Sequence, residues 1–309
     1  MLFGRFNFQL IFESEAQLPP FKGSTLRGVF GLALKKVVCA LKRQECGLCL
    51  LRERCVYTTV FEIPSGEESK GTPSPPHPFI IEPSLNSQTH FQPGDSLDFN
   101  LILLGRFNEY LPYFVYAIEQ MGRIGIGKKI NGKHSHFQLQ AVSIEGRRVY
   151  DSVGKKLIKA EPEDLLLERS GMGNPDQNKD EIRLWLQTPL RLKFDNRLKA
   201  ELPFHVLIRG ALRRIAVLNT RFGTGEPALD YKGLVAGASA IKIKESNLHW
   251  FDWKRYSNRQ EQAMLMGGMV GEVTYQGDLK EFLPFLRYCE KVHLGKATTF
   301  GLGQIQLQK

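Results

Sequence analysis

VHLGKATTFGLGQIQL, residues 292–307, carries three glycines, a histidine, a lysine and two threonines, then passes straight into alternating apolar and polar residues. Alternation with a period of two marks a strand, so the segment reads as a shaped loop feeding a final strand over 303–308. Upstream, Leu279, Phe282, Leu283 and Leu286 recur at helical spacing, with Asp278 placed as cap and Glu281 as its capping-box partner. The pattern occurs twice. MGRIGIGKKINGKHSHFQL, from Met121, leaves a helix expected over 109–121, crosses glycines and cations, and enters an alternating run at 136–144.

Working outward from the two loops gives the rest of each half. Phe3, Phe6, Phe8, Leu10 and Phe12 are interrupted by Arg5, Asn7 and Gln9, the period-two pattern of a first strand over 2–12. KGSTLRGVFGLALKKVVCALK, residues 22–42, reads as a helix capped by Ser24, with Leu26, Phe30, Ala33, Leu34, Val37 and Leu41 facing a sheet. Gly28 and Gly31 in that helix permit close approach of a backbone or a ligand. Strand-like runs follow at 79–82 and 96–104. The order strand, helix, strand, strand, helix, strand is the split βαβ arrangement. Residues 181–309 repeat it: a strand at 181–188, a helix over 203–221, strands at 240–243 and 269–275, the helix after Asp278 and the closing strand. The helix over 203–221 carries one apolar stripe of Phe204, Leu207, Ile208, Ala211, Leu212, Ile215 and Leu218. The fold class expected is α+β, two tandem ferredoxin-like (RRM-like) domains with a C-terminal glycine-rich loop. The first domain covers 1–150 with a cysteine-rich insertion at 39–57, the connection 151–180 with a short helix at 163–169, and the second domain 181–309.

Composition narrows the class further. Hydrophobic residues at 42 % and charged residues at 24 % exclude a disordered chain. No apolar run approaches the roughly 18 residues of a membrane span, and the amphipathic start does not read as a signal peptide. A cytoplasmic protein with no membrane partner is expected. The formal charge of +10 favours a polyanionic partner. Its cations cluster: Arg209, Arg213, Arg214 and Arg221 on or near the 203–221 helix, Lys128 and Lys129 in the first glycine loop, and Lys254, Arg255 and Arg259 interleaved with Trp250, Phe251, Trp253 and Tyr256. Such a mixture can follow a phosphate backbone while rings stack on bases, or it can be a solvated face beside core tryptophans. In the closing loop, Gly295, Gly301 and Gly303 leave backbone room, and Lys296, Thr298 and Thr299 add donors. Both a phosphate cradle and a structural glycine turn fit these residues. The loop runs into a strand, which excludes a P-loop.

Cys39, Cys46, Cys49 and Cys55 crowd one short region of a chain with five cysteines. Four thiolates could hold a structural zinc or, less readily, an iron–sulfur cluster; reduced thiols are the other reading. Cys289 reads as an ordinary core residue.

LPPFKGSTLRGVFG at 18–31, the cysteine-rich segment, MGRIGIGKK at 121–129, RYSNRQ and LMGGMVGEV within 255–273, and VHLGKATTFGLGQI at 292–305 together give the chain a family likeness. It resembles the CRISPR-associated precursor-crRNA processing endoribonucleases of the repeat-associated mysterious protein superfamily. The resemblance implies two ferredoxin-like domains that bind CRISPR repeat RNA and cut each repeat once. The guide RNA then stays bound or passes to effector-complex subunits. It implies no cofactor for cleavage, because the RNA 2′-hydroxyl attacks its own phosphate and leaves a 2′,3′-cyclic phosphate and a 5′-hydroxyl. Family members often place a general-base histidine in or just after the first helix, and residues 24–43 contain none. Of seven histidines, His77 and His90 fall in or near loops and default to solvent, while His134 and His136 flank Ser135 near the first glycine loop. His205 begins the arginine-rich helix and His249 adjoins the aromatic patch. His293, at the closing loop, is the leading candidate for acid or base, with Lys296 stabilising charge. Arg27 and Tyr57 are candidates in the first domain, Arg27 also as an RNA contact. A non-cleaving RNA-binding subunit of the same superfamily is the alternative.

Overall fold

Leu2–Phe12, β1, turns Phe6, Phe8, Leu10 and Phe12 to one face, where each is at most 1 % exposed, and so it occupies the middle of a sheet. A computed structural model describes residues 1–42, 45–62, 75–167, 180–194, 197–257 and 262–308, with backbone alone at 254–257 and 262–265. It divides into two compact units, residues 2–164 and residues 165–309 with Met1.

In residues 2–164, β1 is followed by α1 (Gly23–Val38), α2 (Val56–Phe61), β2 (Phe79–Pro83) and β3 (Ser96–Leu104). Next come α3 (Leu111–Ile124), a hairpin of β4 (Ile126–Ile130) and β5 (Lys133–Ser135), then β6 (Phe137–Ile144) and β7 (Arg147–Asp151). All the sheet pairings are antiparallel. Phe8 stands opposite Phe99 of β3 on one side and Val142 of β6 on the other, and β2 pairs with β3. The order β6-β1-β3-β2 places the fourth, first, third and second core strands side by side, consistent with a ferredoxin-like unit. Phe30 of α1 joins helices to sheet, with Phe61, Phe79 and Phe114 rings at 5.6, 5.9 and 5.7 Å. Aromatic side chains of this size dominate core burial, and edge-to-face pairs add about 0.5–1.5 kcal/mol each.

Four local expectations change. The cap of α1 is Lys22, not Ser24. Lys22 is 1 % exposed, and its ammonium donates to the carbonyls of Pro20 and Asn86 at 3.1 and 2.7 Å. Burial lowers its pKa. The helix stops at Val38, where Cys39 turns extended, so Leu41 lies past its end and is 39 % exposed. The 163–169 segment gives no helix at its start, because Glu163 and Asp164 pair as a strand with Phe3 and Leu2; residues 168 and 169 lie outside the described set. The first glycine loop forms the β4–β5 hairpin.

In the second unit, β8 (Glu181–Leu190) leads to α4 (Phe204–Phe222), α5 (Tyr231–Ala238), β9 (Lys242–Ser246), β10 (Gly268–Gln276), α6 (Leu283–Val292) and β11 (Ile305–Gln308). The order β11-β8-β10-β9 repeats the first unit's strand order. Phe204 on α4 meets Tyr275 and Phe282 at 4.9 and 5.3 Å, and the Tyr275 hydroxyl donates to the Leu202 carbonyl at 2.7 Å. Helix α5 was not expected; Asp230 caps it by accepting from the Gly233 amide at 2.9 Å. Asp278 instead accepts from Lys280 in a turn, and α6 begins at Leu283 with Pro284 in its first turn, where proline's fixed φ costs nothing. No helix among the described residues is long and apolar enough to cross a membrane.

Candidate functional site

The closing loop is built by backbone geometry that few residues tolerate. His293 follows α6 at φ 54°, Ala297 sits at φ 63°, and Gly301 and Gly303 at φ 83° and 72°. A Cβ on Gly303 would fall 1.7 Å from the Leu294 carbonyl oxygen, so only glycine fits there. The amides of Leu294, Phe300, Gly301 and Gly303 donate to Gly303, Ala297, Thr298 and Pro189 carbonyls. Thr188 of β8 donates to the Gly301 carbonyl at 2.8 Å and accepts from the Gln304 amide at 2.9 Å. Arg214, part-buried on α4, donates to the carbonyls of Val292 and His293 at 2.8 and 3.2 Å and to the Thr298 hydroxyl at 3.2 Å. It thereby caps the C-terminal end of α6 with a cation. Burial pulls the Arg214 pKa down to about 10, which leaves it charged at neutral pH.

These bonds turn much of the loop inward. Thr298 and Thr299, read from sequence as donors for an anion, are 8 % and 7 % exposed. His293 is 0 % exposed, and its Nδ1 lies 3.1 Å from the Leu302 carbonyl. The ring of the leading acid–base candidate is thus enclosed. Gly301 and Gly303 are buried, Gly295 is half-buried, and Lys296 stands exposed at the crest. On α4, Arg209 and Arg213 are exposed and four residues apart, one helical turn on the same side.

The β4–β5 hairpin is the opposite case. Lys128, Lys129, Lys133, His134 and His136 are all exposed, and His134 Nδ1 donates to the Gly127 carbonyl at 2.9 Å. The aromatic patch is mixed. Trp250 is half-buried and its indole donates to Asp252 at 2.9 Å, whereas Phe251 is 48 % exposed. Lys254 and Arg255 lie on a strand paired with Gln262–Leu265, and Arg259 lies outside the described residues.

Cys39 closes α1, Cys46 opens a short turn, and Cys55 precedes α2. All four clustered cysteines are half-buried and reduced. Among the described residues, no group of three or more His, Cys, Asp or Glu side chains converges as a metal site. Cys46 instead hydrogen-bonds Lys35, and burial chiefly raises its pKa.

Helix α2, at the end of the cysteine-rich insertion, delivers Phe61, which sequence reasoning passed over. Phe61 of α2 sits against Gly31, where a Cβ would approach its ring to 3.0 Å; Gly28 faces open space. The Phe61 ring packs on Phe79 at 4.9 Å and stacks with Tyr57 at 5.5 Å. Arg27 lies over Phe61 and Phe79 at 5.2 and 6.0 Å, and His77 meets Phe79 at 5.9 Å. Its loop position suggested solvent for His77; the ring is half-buried instead.

Residues 1–163 match the family model AF_1859_N, an N-terminal domain, and residues 184–305 match that of the CRISPR-associated endoribonuclease Cas6. The chain belongs to the family of the first model, which spans more than half of it, and over 184–305 it is similar to Cas6. An uncharacterized protein of Archaeoglobus fulgidus is 26 % identical over 297 residues, covering 94 % of this chain and 93 % of its own. Among solved structures, a partial Cas6-RT-Cas1–Cas2 complex has a TM-score of 0.59 at 16 % identity; 99 % of this chain is covered, but only 46 % of that one. This chain therefore spans less than half the length of that Cas6-containing chain. Thermus thermophilus Cas6 gives a TM-score of 0.55 at 12 % identity, with 99 % and 98 % of the two chains covered. At these identities the structural likeness establishes the Cas6 fold.

Proposed function

We propose that the protein is an endoribonuclease that cuts CRISPR precursor RNA within its repeats. The 2′-hydroxyl attacks the adjacent phosphate, giving a 2′,3′-cyclic phosphate and a 5′-hydroxyl without a metal ion. The match of 184–305 to the Cas6 endoribonuclease family carries this reading. The exposed cations Lys128, Lys129, Arg209, Arg213 and Lys296 support it, because RNA recognition begins with neutralising phosphates. In this reading the ferredoxin-like units act as RRM-like platforms, the crest of the glycine loop meets the ribose–phosphate chain, and the product guide RNA is retained or handed to CRISPR effector subunits. In the same reading Lys296 meets the charge growing on phosphorus.

Two observations favour a carrier without cleavage: the first helix has no histidine, and His293 is enclosed. Incubating the protein with repeat RNA in chelator separates the two. Discrete products ending in cyclic phosphate, abolished by a 2′-deoxy residue at the cut, are expected. Tight binding with intact RNA would instead establish the carrier.

A further inference from the structure

We propose that His77 is the general base of this cleavage and that Arg27 beside it receives the attacked phosphate. The assignment rests on the endoribonuclease reading above, and three observations within residues 2–164 carry it.

His77 Nδ1 lies 2.9 Å from the Val60 carbonyl. A carbonyl can only accept, so Nδ1 holds the ring proton and Nε2 keeps its lone pair free for a hydroxyl proton. The two groups also share a support. His77 and Arg27 both rest on Phe79, and Arg27 bridges to Phe61, so imidazole and guanidinium are held on one aromatic platform. Finally, burial first and Arg27 second draw the His77 pKa below its ordinary value. The ring is therefore neutral near pH 7, as a base must be.

The other histidines combine fewer of these features. His293 is sealed, and His134 has the same tautomer but is itself exposed. His205 shares Phe194 with Lys199, at 6.0 and 5.9 Å, which makes it the natural control.

The step balances. His77 Nε2 takes the 2′-proton, and the oxygen's electron pair forms the bond to phosphorus. The bond from phosphorus to the 5′-oxygen breaks, its pair leaving on that oxygen, which takes a proton from water. The imidazolium then returns its proton to the hydroxide so formed. Arg27 faces the non-bridging oxygens while they carry the added charge.

His77→Asn tests this, because the Asn amide nitrogen can still donate to Val60 where Nδ1 did, but Nε2 is gone. Single-turnover cleavage of repeat RNA should fall about 10²–10⁴-fold, with binding changed less than about threefold and the thermal midpoint unmoved. Arg27→Gln should lose about 10²-fold in the same step. A folded His77→Asn protein cutting at the wild-type rate overturns the assignment. If His205→Asn is the variant that fails, the base belongs there and His77 merely supports the platform. If the wild-type protein leaves repeat RNA intact, the endoribonuclease reading falls and takes this role with it.

Discussion

The two glycine loops start from the same sequence vocabulary and end in opposite environments. Residues 126–135 fold into a hairpin that holds Lys128, Lys129, Lys133 and His134 in solvent. Residues 292–305 fold back on themselves, burying Thr298, Thr299, Gly301 and Gly303. The difference lies in what each loop is tied to. The hairpin's tips, at Gly132, face open space. The closing loop is bonded on separate sides by Thr188 of β8 and Arg214 of α4. Gly132 serves chain reversal at the hairpin tip, while Gly127 at its base, like Gly303 in the closing loop, lets two backbones touch, since a Cβ there would fall 2.5 Å from the Gln17 carbonyl oxygen. The lesson is that a glycine-rich segment does not announce whether it exposes its amides or spends them internally.

Gly303→Ala should be the most damaging way to probe this contrast. It forces a side chain at φ 72° into the Leu294 carbonyl, and a loss on the order of 4 kcal/mol is expected in denaturant unfolding. Arg214→Ala should come next. It leaves the Val292 and His293 carbonyls and the Thr298 hydroxyl without their guanidinium donor, at a cost of about 3 kcal/mol. Arg214→Lys should recover only part of that, since an ammonium lacks the planar fork. Replacing Lys128 and Lys129 together by Ala should leave unfolding unchanged but weaken repeat-RNA binding roughly tenfold across sequences. Gly132→Ala, at φ 79° but with nothing within 4 Å, should cost only about 1 kcal/mol. Equal losses for Gly132→Ala and Gly303→Ala would erase the distinction between the loops.

Period-two and helical spacing located β1, β3, β6 and the stripe of α4 nearly to the residue, because half-buried elements repeat their apolar side chains regularly. Boundaries set by contacts elsewhere were less visible. Ser24 looked like a cap, yet Lys22 takes that place with its ammonium tied to the nearby Pro20 carbonyl and the distant Asn86 carbonyl. Helix α5 has only Asp230 to signal it, in a segment whose small residues give no stripe. Of the candidate site, the exposed cations on α4 and the first hairpin were legible, since cations at helical or hairpin spacing reach solvent. His293 was misjudged because nearness in sequence to a polar loop says nothing of enclosure. His77 was assigned to solvent for the converse reason: its setting depends on Phe61 and Val60 of α2 rather than on chain neighbours.

The Arg214 contacts have a practical consequence for handling the protein. They are short-range bonds to neutral oxygens inside the fold, whereas attraction between lysines and RNA phosphates weakens as counterions accumulate. Concentrated sodium chloride should therefore strip nucleic acid carried over from cells while the closing loop keeps its shape, giving RNA-free, folded protein without a denaturing step.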